Sequence, residues 1–350
     1  MPETAAEPYA IAPCLDVLLR RENLSPALAS EFMTAFVAGR VPPASLGAFL
    51  AALRAKGETE DELAAFAAVL RAHARRVQAP EGTLDTCGTG GDSSGTFNVS
   101  TAVALVVAGM GIPVAKHGNR SVSSNSGSAD VLKVLGVNVE APLEVAEACL
   151  REVHIGFFFA PAFHPGMRHA APVRRELGIR TVFNLLGPLI NPAFTARQLM
   201  GVFDPAWCEP LARVLQQLGS ASVMVVCGAG PGGAGHLDEI STFGPTRIAR
   251  LHDGVVRGED FIPASLGLAA PEPKALAADG PEASARTIRA VLDGKPGPAR
   301  EIVLLNAAAA ALVAYRAGDW RAGFDLAAET VDSGRARDTL ARLVERANRS

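Results

Sequence analysis

The chain has 350 residues, 49% apolar and 20% charged, with 33 Lys and Arg against 36 Asp and Glu. A net charge of −3 and an aromatic content of 5% provide neither the basic field nor the stacking surface of a nucleic-acid binder. The length suits about two domains, and 34 glycines with 24 prolines give many turns without reaching low-complexity levels.

Residues 1–8 carry acids and prolines but no charged-then-apolar signal pattern. Four helices are expected next. The first spans 11–21; the second starts at Pro26 with Ser25 as its N-cap and closes at Gly39. Its inward face is Leu28, Phe32, Ala35 and Phe36. The third runs over 44–56, and the fourth opens on Thr59-Glu60-Asp61-Glu62, a capping box. Short loops between these helices predict a small bundle.

From Leu84 onward, short apolar runs alternate with glycine-rich turns and helical segments. Strands are expected before Gly88 and at 112–115, 155–160 and 223–227. Helices are expected at 101–110, 129–135, 143–153, 207–218, 283–292, 301–317 and 319–331. Strands separated by helices predict an α/β domain with a mostly parallel, covered sheet. The longest apolar stretch, 101–115, is shorter than the ~20 residues of a membrane span and contains Gly109, Gly111 and Pro113. Residues 263–281, with four prolines, are expected as a surface loop. Cys14, Cys87, Cys149, Cys208 and Cys227 are odd in number and far apart. That spacing predicts neither disulfides nor a zinc cluster, and a cytoplasmic setting.

Four stretches carry chemistry. The first is DTCGTGGD at 85–92, followed by FNVST at 97–101. Glycines let backbone approach a ligand, and a helix N-terminus offers free N–H groups to an anion. A tight strand-to-helix turn accounts for the glycines equally well, and there is neither GxGxxG nor a P-loop lysine. The second, KHGNRSVSS at 116–124 followed by GSAD at 127–130, concentrates hydrogen-bond donors just after an apolar strand. That position is the sheet edge where α/β sites form, and the donors suit phosphate or pyrophosphate. The third includes Pro161, His164, Met167 and Arg174. Arg174 suits a carboxylate on a flat ring, although a structural ion pair explains a single arginine as readily. The fourth is Leu237-Asp238-Glu239. Adjacent carboxylates are hard ligands for Mg²⁺, and they also occur as solvated surface pairs. Taken together, the stretches predict transfer of a phosphorylated sugar from a pyrophosphate donor.

GTGGD at 88–92, FNVST at 97–101, KHGNR at 116–120, the serines and GSAD through Asp130, and LDE at 237–239 resemble the anthranilate phosphoribosyltransferase family. The likeness runs from the N-terminal bundle through the helix at 306–315. The resemblance implies an α/β fold of the nucleoside phosphorylase and phosphoribosyltransferase kind, with a small N-terminal α-helical domain and a larger α/β domain. The helical domain, 1–80, would serve dimerisation and regain helices near 173–195; the catalytic α/β domain would span 81–350.

The implied activity moves phosphoribosyl from 5-phospho-α-D-ribose 1-diphosphate to anthranilate, a step of tryptophan biosynthesis, with Mg²⁺ as cofactor. The implied partners are these two substrates and a second copy of the chain in a homodimer, with no nucleic acid and no membrane. By position, Gly88, Gly91, Asp92, Thr96, Asn98, Ser100, Thr101, Lys116, Ser123, Ser124 and Ser128 would surround the phosphoribosyl substrate. Asn119 and Arg174 would contact anthranilate, and His117, Pro161 and His164 would line its channel. Val99, Gly118, Arg120, Ser121 and Val122 complete the implied substrate contacts. Ser100, Asp238 and Glu239 would hold the metal, and Lys116 and Arg174 would carry the catalytic charges. Met167 stands where some relatives have an aromatic residue, and His236 where glycine is frequent. The alternative readings are a pyrimidine-nucleoside phosphorylase and a non-catalytic nucleic-acid-binding relative.

Overall fold

The computed structural model describes residues 7–92, 94–120 and 126–349. The chain divides into two compact units. The first holds the chain up to Arg76 together with Pro161–Pro192; the second holds Val77–Ala160 and everything from Ala193 onward.

The first unit is helical. Its N-terminal part consists of α1 (Ala12–Leu19), α2 (Pro26–Val37), α3 (Pro43–Lys56) and α4 (Glu60–Ala72). The caps form as the residue types dictate: Ser25 Oγ accepts from the Leu28 N–H, and Thr59 and Glu62 complete a reciprocal capping box. Phe32 stacks on Phe49 with centroids 3.6 Å apart, and Phe66 meets Phe49 edge-on. The chain returns with α8 (Ala160–Phe163), α9 (Ala170–Leu177) and α10 (Phe183–Leu186). Here α9 packs on α3 and α10 on α4, with Phe183 against Phe36 at 5.2 Å. The returning segment thus begins at Pro161 rather than near 173, because its first turns already pack on α2.

The second unit is α/β. Among the described residues eight strands make one sheet: β1 (Leu84–Gly88), β2 (Val114–Gly118), β3 (Ile155–Phe159), β4 (Arg197–Gly201), β5 (Ser222–Ala229), β6 (His236–Leu237), β7 (Thr246–His252) and β8 (Val255–Phe261). Their order is β3-β2-β1-β4-β5-β7-β8, with β6 pairing β5. The first five strands in that order are parallel; β7, β8 and β6 run antiparallel. The sequence pattern missed β4 and the β7–β8 hairpin.

Helix α5 (Val99–Gly109) carries Val, Ala and Leu around its whole circumference, and nine of its eleven residues are buried, as an all-round apolar helix requires. The remaining helices are α6 (Ser128–Val134), α7 (Leu143–Val153), α11 (Cys208–Gln217), α12 (Gly280–Leu292), α13 (Pro298–Val313), α14 (Trp320–Asp332) and α15 (Arg335–Ala347). Helix α13 packs on α5, β4 and β5, and α11 covers β5 and β7. The alanine run at 307–311 is wholly buried, so close helix packing explains it. The expected surface loop at 263–281 is only partly that: Leu276 is 1% exposed and the end of the segment pairs with residues 95–97. Among the described residues no helix is long and apolar enough to cross a membrane.

Candidate active site

Strand order reverses at β1: β2 lies on one side and β4 on the other. In parallel α/β sheets the crevice beyond the carboxyl ends of the strands at such a reversal is where ligands bind. Gly88 and Gly201 end β1 and β4 in register, and Asp238, one of the two predicted metal acids, sits against both. A Cβ at Gly201 would collide with the Asp238 backbone carbonyl, and one at Gly88 with the Asp238 carboxylate. At Gly228 it would come 2.6 Å from the Glu239 carbonyl oxygen. Only glycine permits this approach. Gly201 and Gly228 were not singled out in the sequence; their signal is glycine at the end of a short apolar run.

The glycine turn is bound to these acids directly. The Gly90 N–H donates to Asp238 Oδ2 at 2.8 Å, and the Asp238 N–H donates to Asp92 Oδ2 at 3.3 Å. Asp92 also accepts from the Ser94 N–H at 3.1 Å through its other oxygen. Glu239 Oε1 accepts from the Ser100 N–H at 2.9 Å. A carboxylate from a distant loop therefore occupies the N-terminus of α5, where the helix dipole favours negative charge. Beyond the acids, Asn306 on α13 fixes the chain. Its Oδ1 accepts from the Ile240 N–H at 2.8 Å, and its Nδ2 donates to the Ile240 and Ile302 carbonyls at 2.9 Å each. This anchor, like the two glycines, went unrecognised in the sequence.

Burial pushes the Asp238 carboxyl up to about 8, with Asp92 adding to the rise. Burial, then Asp238, holds Glu239 well above the usual carboxylate range, while Lys116 and the Ser100 N–H oppose it. Such crowding is costly unless a cation or protons neutralise it. The Lys116 ammonium is 2% exposed and donates to the Thr86 carbonyl at 2.9 Å and to Ser100 Oγ at 3.4 Å. Burial lowers its pKa, and Asp85, Cys87 and Glu239 counter that.

Among the described residues no group of three His, Cys, Asp or Glu side chains is arranged to hold a metal. Two carboxylates and the Ser100 hydroxyl are an all-oxygen set, and Mg²⁺ takes few carboxylates, keeping waters and substrate phosphates. The residues fit that ion.

The other predicted residues of the second unit lie on the same sheet edge or the loops leaving it. Gly91 has φ +74°, and Thr96 and Asn98 lead into α5. Val99 and Thr101 are buried in the first turn of α5, and the Thr101 hydroxyl has no hydrogen-bond partner among the described residues. His117 and Gly118 end β2, and Ser128 begins α6, touching the place a Gly118 Cβ would take. The Asn119 carbonyl accepts from the Ala129 N–H at 3.3 Å. Arg120 turns to Glu140, with Nη2 to Oε1 at 2.5 Å, and lies over the Phe159 ring. Ser121, Val122, Ser123 and Ser124 lie outside the described residues. His236 pairs with Ala229 in the short β6 ladder.

Pro161, His164, Met167 and Arg174 belong to the first unit. Arg174 stands on α9, half-buried, over the Phe183 ring at 5.8 Å. Burial lowers its pKa, and among the described residues no carboxylate pairs with it. His164 is 4% exposed; burial holds its pKa down to about 4 against a hydrogen bond with the Ile190 backbone.

Two family models match the chain, the helical bundle domain of a glycosyl transferase family over residues 12–74 and its a/b domain over residues 81–337. The chain is 51% identical to the anthranilate phosphoribosyltransferase of Rhodospirillum rubrum, covering 92% of this chain and 91% of that protein. It is 49% identical to that of Azospirillum brasilense over 93% and 90%. Among solved structures, the Thermus thermophilus anthranilate phosphoribosyltransferase superposes with a TM-score of 0.88 at 41% identity, over 96% of this chain and 99% of that one. The Saccharomyces cerevisiae enzyme, solved with PRPP and Mg, gives 0.85 at 27% identity, over 96% and 97%. With matching motifs, matching architecture and close relatives over nearly its whole length, the chain belongs to the anthranilate phosphoribosyltransferase family.

Proposed function

We propose that the protein transfers the phosphoribosyl group of 5-phospho-α-D-ribose 1-diphosphate to the amine of anthranilate. The products are N-(5-phosphoribosyl)anthranilate and pyrophosphate, a step of tryptophan biosynthesis. The observation that carries the reading is the seating of Asp238 and Glu239 against the glycine turn and the α5 N-terminus at the β1/β4 reversal. That arrangement suits a diphosphate bound with a divalent cation.

The acceptor is an aromatic amine, unprotonated near neutrality, so its nitrogen lone pair attacks the anomeric carbon without prior help from a strong base. The C1–O bond to pyrophosphate breaks on the opposite face with inversion, and the nitrogen then loses a proton. The work left to the protein is orientation and charge stabilisation. Backbone N–H groups of the glycine turn, Asn98 and Lys116 hold the phosphoribosyl substrate. Arg174, a half-buried guanidinium with no acid partner among the described residues, binds the anthranilate carboxylate. Asp238, Glu239 and Ser100 would hold Mg²⁺, which would supply positive charge for the departing pyrophosphate.

We also infer a homodimer joined through the helical unit, supported by Leu19 at the end of α1, which is 73% exposed. Five free thiols support a reduced, cytoplasmic setting. The deciding experiment is product formation from anthranilate and 5-phospho-α-D-ribose 1-diphosphate, with and without Mg²⁺. Metal-dependent product is expected; no product in the presence of both substrates and metal would overturn the reading.

A further inference from the structure

Asn98 immediately precedes α5, yet its side chain does not cap that helix. Two serines hold it instead. The hydroxyls of Ser126 and Ser284 both donate to Asn98 Oδ1, at 2.8 and 2.9 Å. Asn98 Nδ2 donates to the Ser126 carbonyl at 3.3 Å, and the Asn98 backbone N–H donates to Ser284 Oγ at 2.9 Å. A primary carboxamide has two acceptor sites and two N–H groups. Both acceptor sites and one N–H are engaged here. A flipped amide would turn Oδ1 toward the Ser126 carbonyl oxygen, so the orientation is single. Among the described residues one Nδ2 hydrogen has no partner, and the other three bonds set its direction.

Ser284 has no accessible surface. It reaches Asn98 from α12 at the end of a short strap. The Phe97 N–H donates to the Leu276 carbonyl at 2.9 Å, the Ala278 N–H donates to the Gly95 carbonyl at 3.0 Å, and Thr96 bridges Ala277 antiparallel. Residues 276–278 thus hold the turn at 95–97 by its backbone, and Ser284 then holds Asn98 by both backbone and side chain. The serine hydroxyl accepts one hydrogen bond from Asn98 and donates another back to it. Replacing it with alanine leaves the Asn98 N–H without its acceptor and Oδ1 with one donor instead of two.

We propose that Ser284 is a positioning residue for the phosphoribosyl substrate: acting through Asn98, it presents a single carboxamide N–H, and never the amide oxygen, to the substrate's anionic oxygens. The inference rests on the function proposed above and assigns a role to a residue 186 positions from Asn98 in the chain. It explains why an asparagine serves a ligand of the same polarity as its own oxygen: both acceptor sites are occupied from behind.

The test is a double-mutant cycle on the full-length protein. Binding of 5-phospho-α-D-ribose 1-diphosphate with Mg²⁺ is measured calorimetrically for wild type, Ser284→Ala, Asn98→Ala and the double variant. Steady-state kinetics with each substrate varied, and thermal melting, accompany it. Ser284→Ala should weaken binding about tenfold, the loss expected for one misdirected hydrogen bond to a charged ligand. The KM for this substrate should rise while that for anthranilate changes little. In the Asn98→Ala background, Ser284→Ala should change binding by less than about twofold, because the group through which it acts is gone. Asn98→Asp gives a second check that does not touch α12. It puts an acceptor where the remaining N–H points and should bind worse than Asn98→Ala. Equal losses from Ser284→Ala in both backgrounds, or Asn98→Asp binding as well as Asn98→Ala, would overturn the inference alone. Failure of the wild-type protein to bind the substrate would overturn both this inference and the function on which it rests.

Discussion

Asp238 and Glu239 hold raised pKa values because burial and neighbouring acids disfavour their charge. The same crowding that suits them to a cation makes them a burden on the metal-free fold. Replacing both, Asp238→Asn with Glu239→Gln, should therefore have effects of opposite sign. Mg²⁺-dependent turnover should fall on the order of 100-fold or more, as several kcal/mol of charge stabilisation disappear. The melting temperature without metal should stay level or rise. Unchanged turnover in the folded double variant would remove the metal role. Arg174 separates the two substrates at the same scale. Arg174→Ala should chiefly raise the anthranilate KM and cost about 2–4 kcal/mol in kcat/KM, while Lys116→Ala should chiefly weaken the phosphoribosyl substrate. If Arg174→Ala weakens both substrates alike, its place is structural.

Gly201 shows how an element positions these acids. It ends β4, and its Cα lies so close to the Asp238 carbonyl that no side chain fits. The obstacle is backbone, so it cannot swing aside as a flexible side chain would. Gly201→Ala should cost about 1–3 kcal/mol in stability and, by shifting the acid pair by as little as about 1 Å, on the order of 100-fold in turnover. Denaturant titration alongside kinetics checks it; a variant of wild-type stability and turnover would show that the loop accommodates the methyl group.

At the element scale, the sequence was legible wherever the signal was local. Ser25 before Pro26 and the Thr59–Glu62 pair announce their helices because caps are contacts between near neighbours. Strand β1 and the turn at 88–92 read clearly from the three glycines, Gly88, Gly90 and Gly91, that close the strand. Strand β4 did not: five residues opening on Arg197 and Gln198 lack alternation, and the strand exists because β1 and β5 flank it. Strand β8 is an exposed, charged edge; α15, by contrast, was legible, with Ala336, Thr339, Leu340, Leu343 and Ala347 at helical spacing. Asn306 and Ser284 act on residues distant in sequence, where local patterns carry nothing. The roles carried over from the family motifs fall within stretches that could be read; the supports behind them do not.

At the scale of the whole molecule, the buried His164 gives the stability a slope with pH. An unfolded imidazole takes up a proton near 6.5, whereas burial keeps the folded one neutral to about 4. Between these values the unfolded state binds more protons, so stability rises with pH. The contribution is complete above about pH 6.5 and is lost as the pH falls toward 4. At pH 5 the loss amounts to about 2 kcal/mol. Urea titrations at pH 7.5 and pH 5 should show that difference in wild type and a smaller one in His164→Gln. The same slope in both would assign the pH dependence to other groups.

The strap that clasps residues 95–98 also orders events in time. A ribosome releases the glycine turn and Asn98 early, but Leu276, Ala278 and Ser284 emerge almost two hundred residues later. Until then the turn has neither its backbone pairing nor the serine that orients its amide. A nascent chain lacking this strap should therefore hold the phosphorylated sugar more weakly, and pairings this distant are slow to close. Fragments ending before Ser284 should carry every motif of the phosphate turn and still lack a formed one. Ligand competence waits on the residues around Ser284.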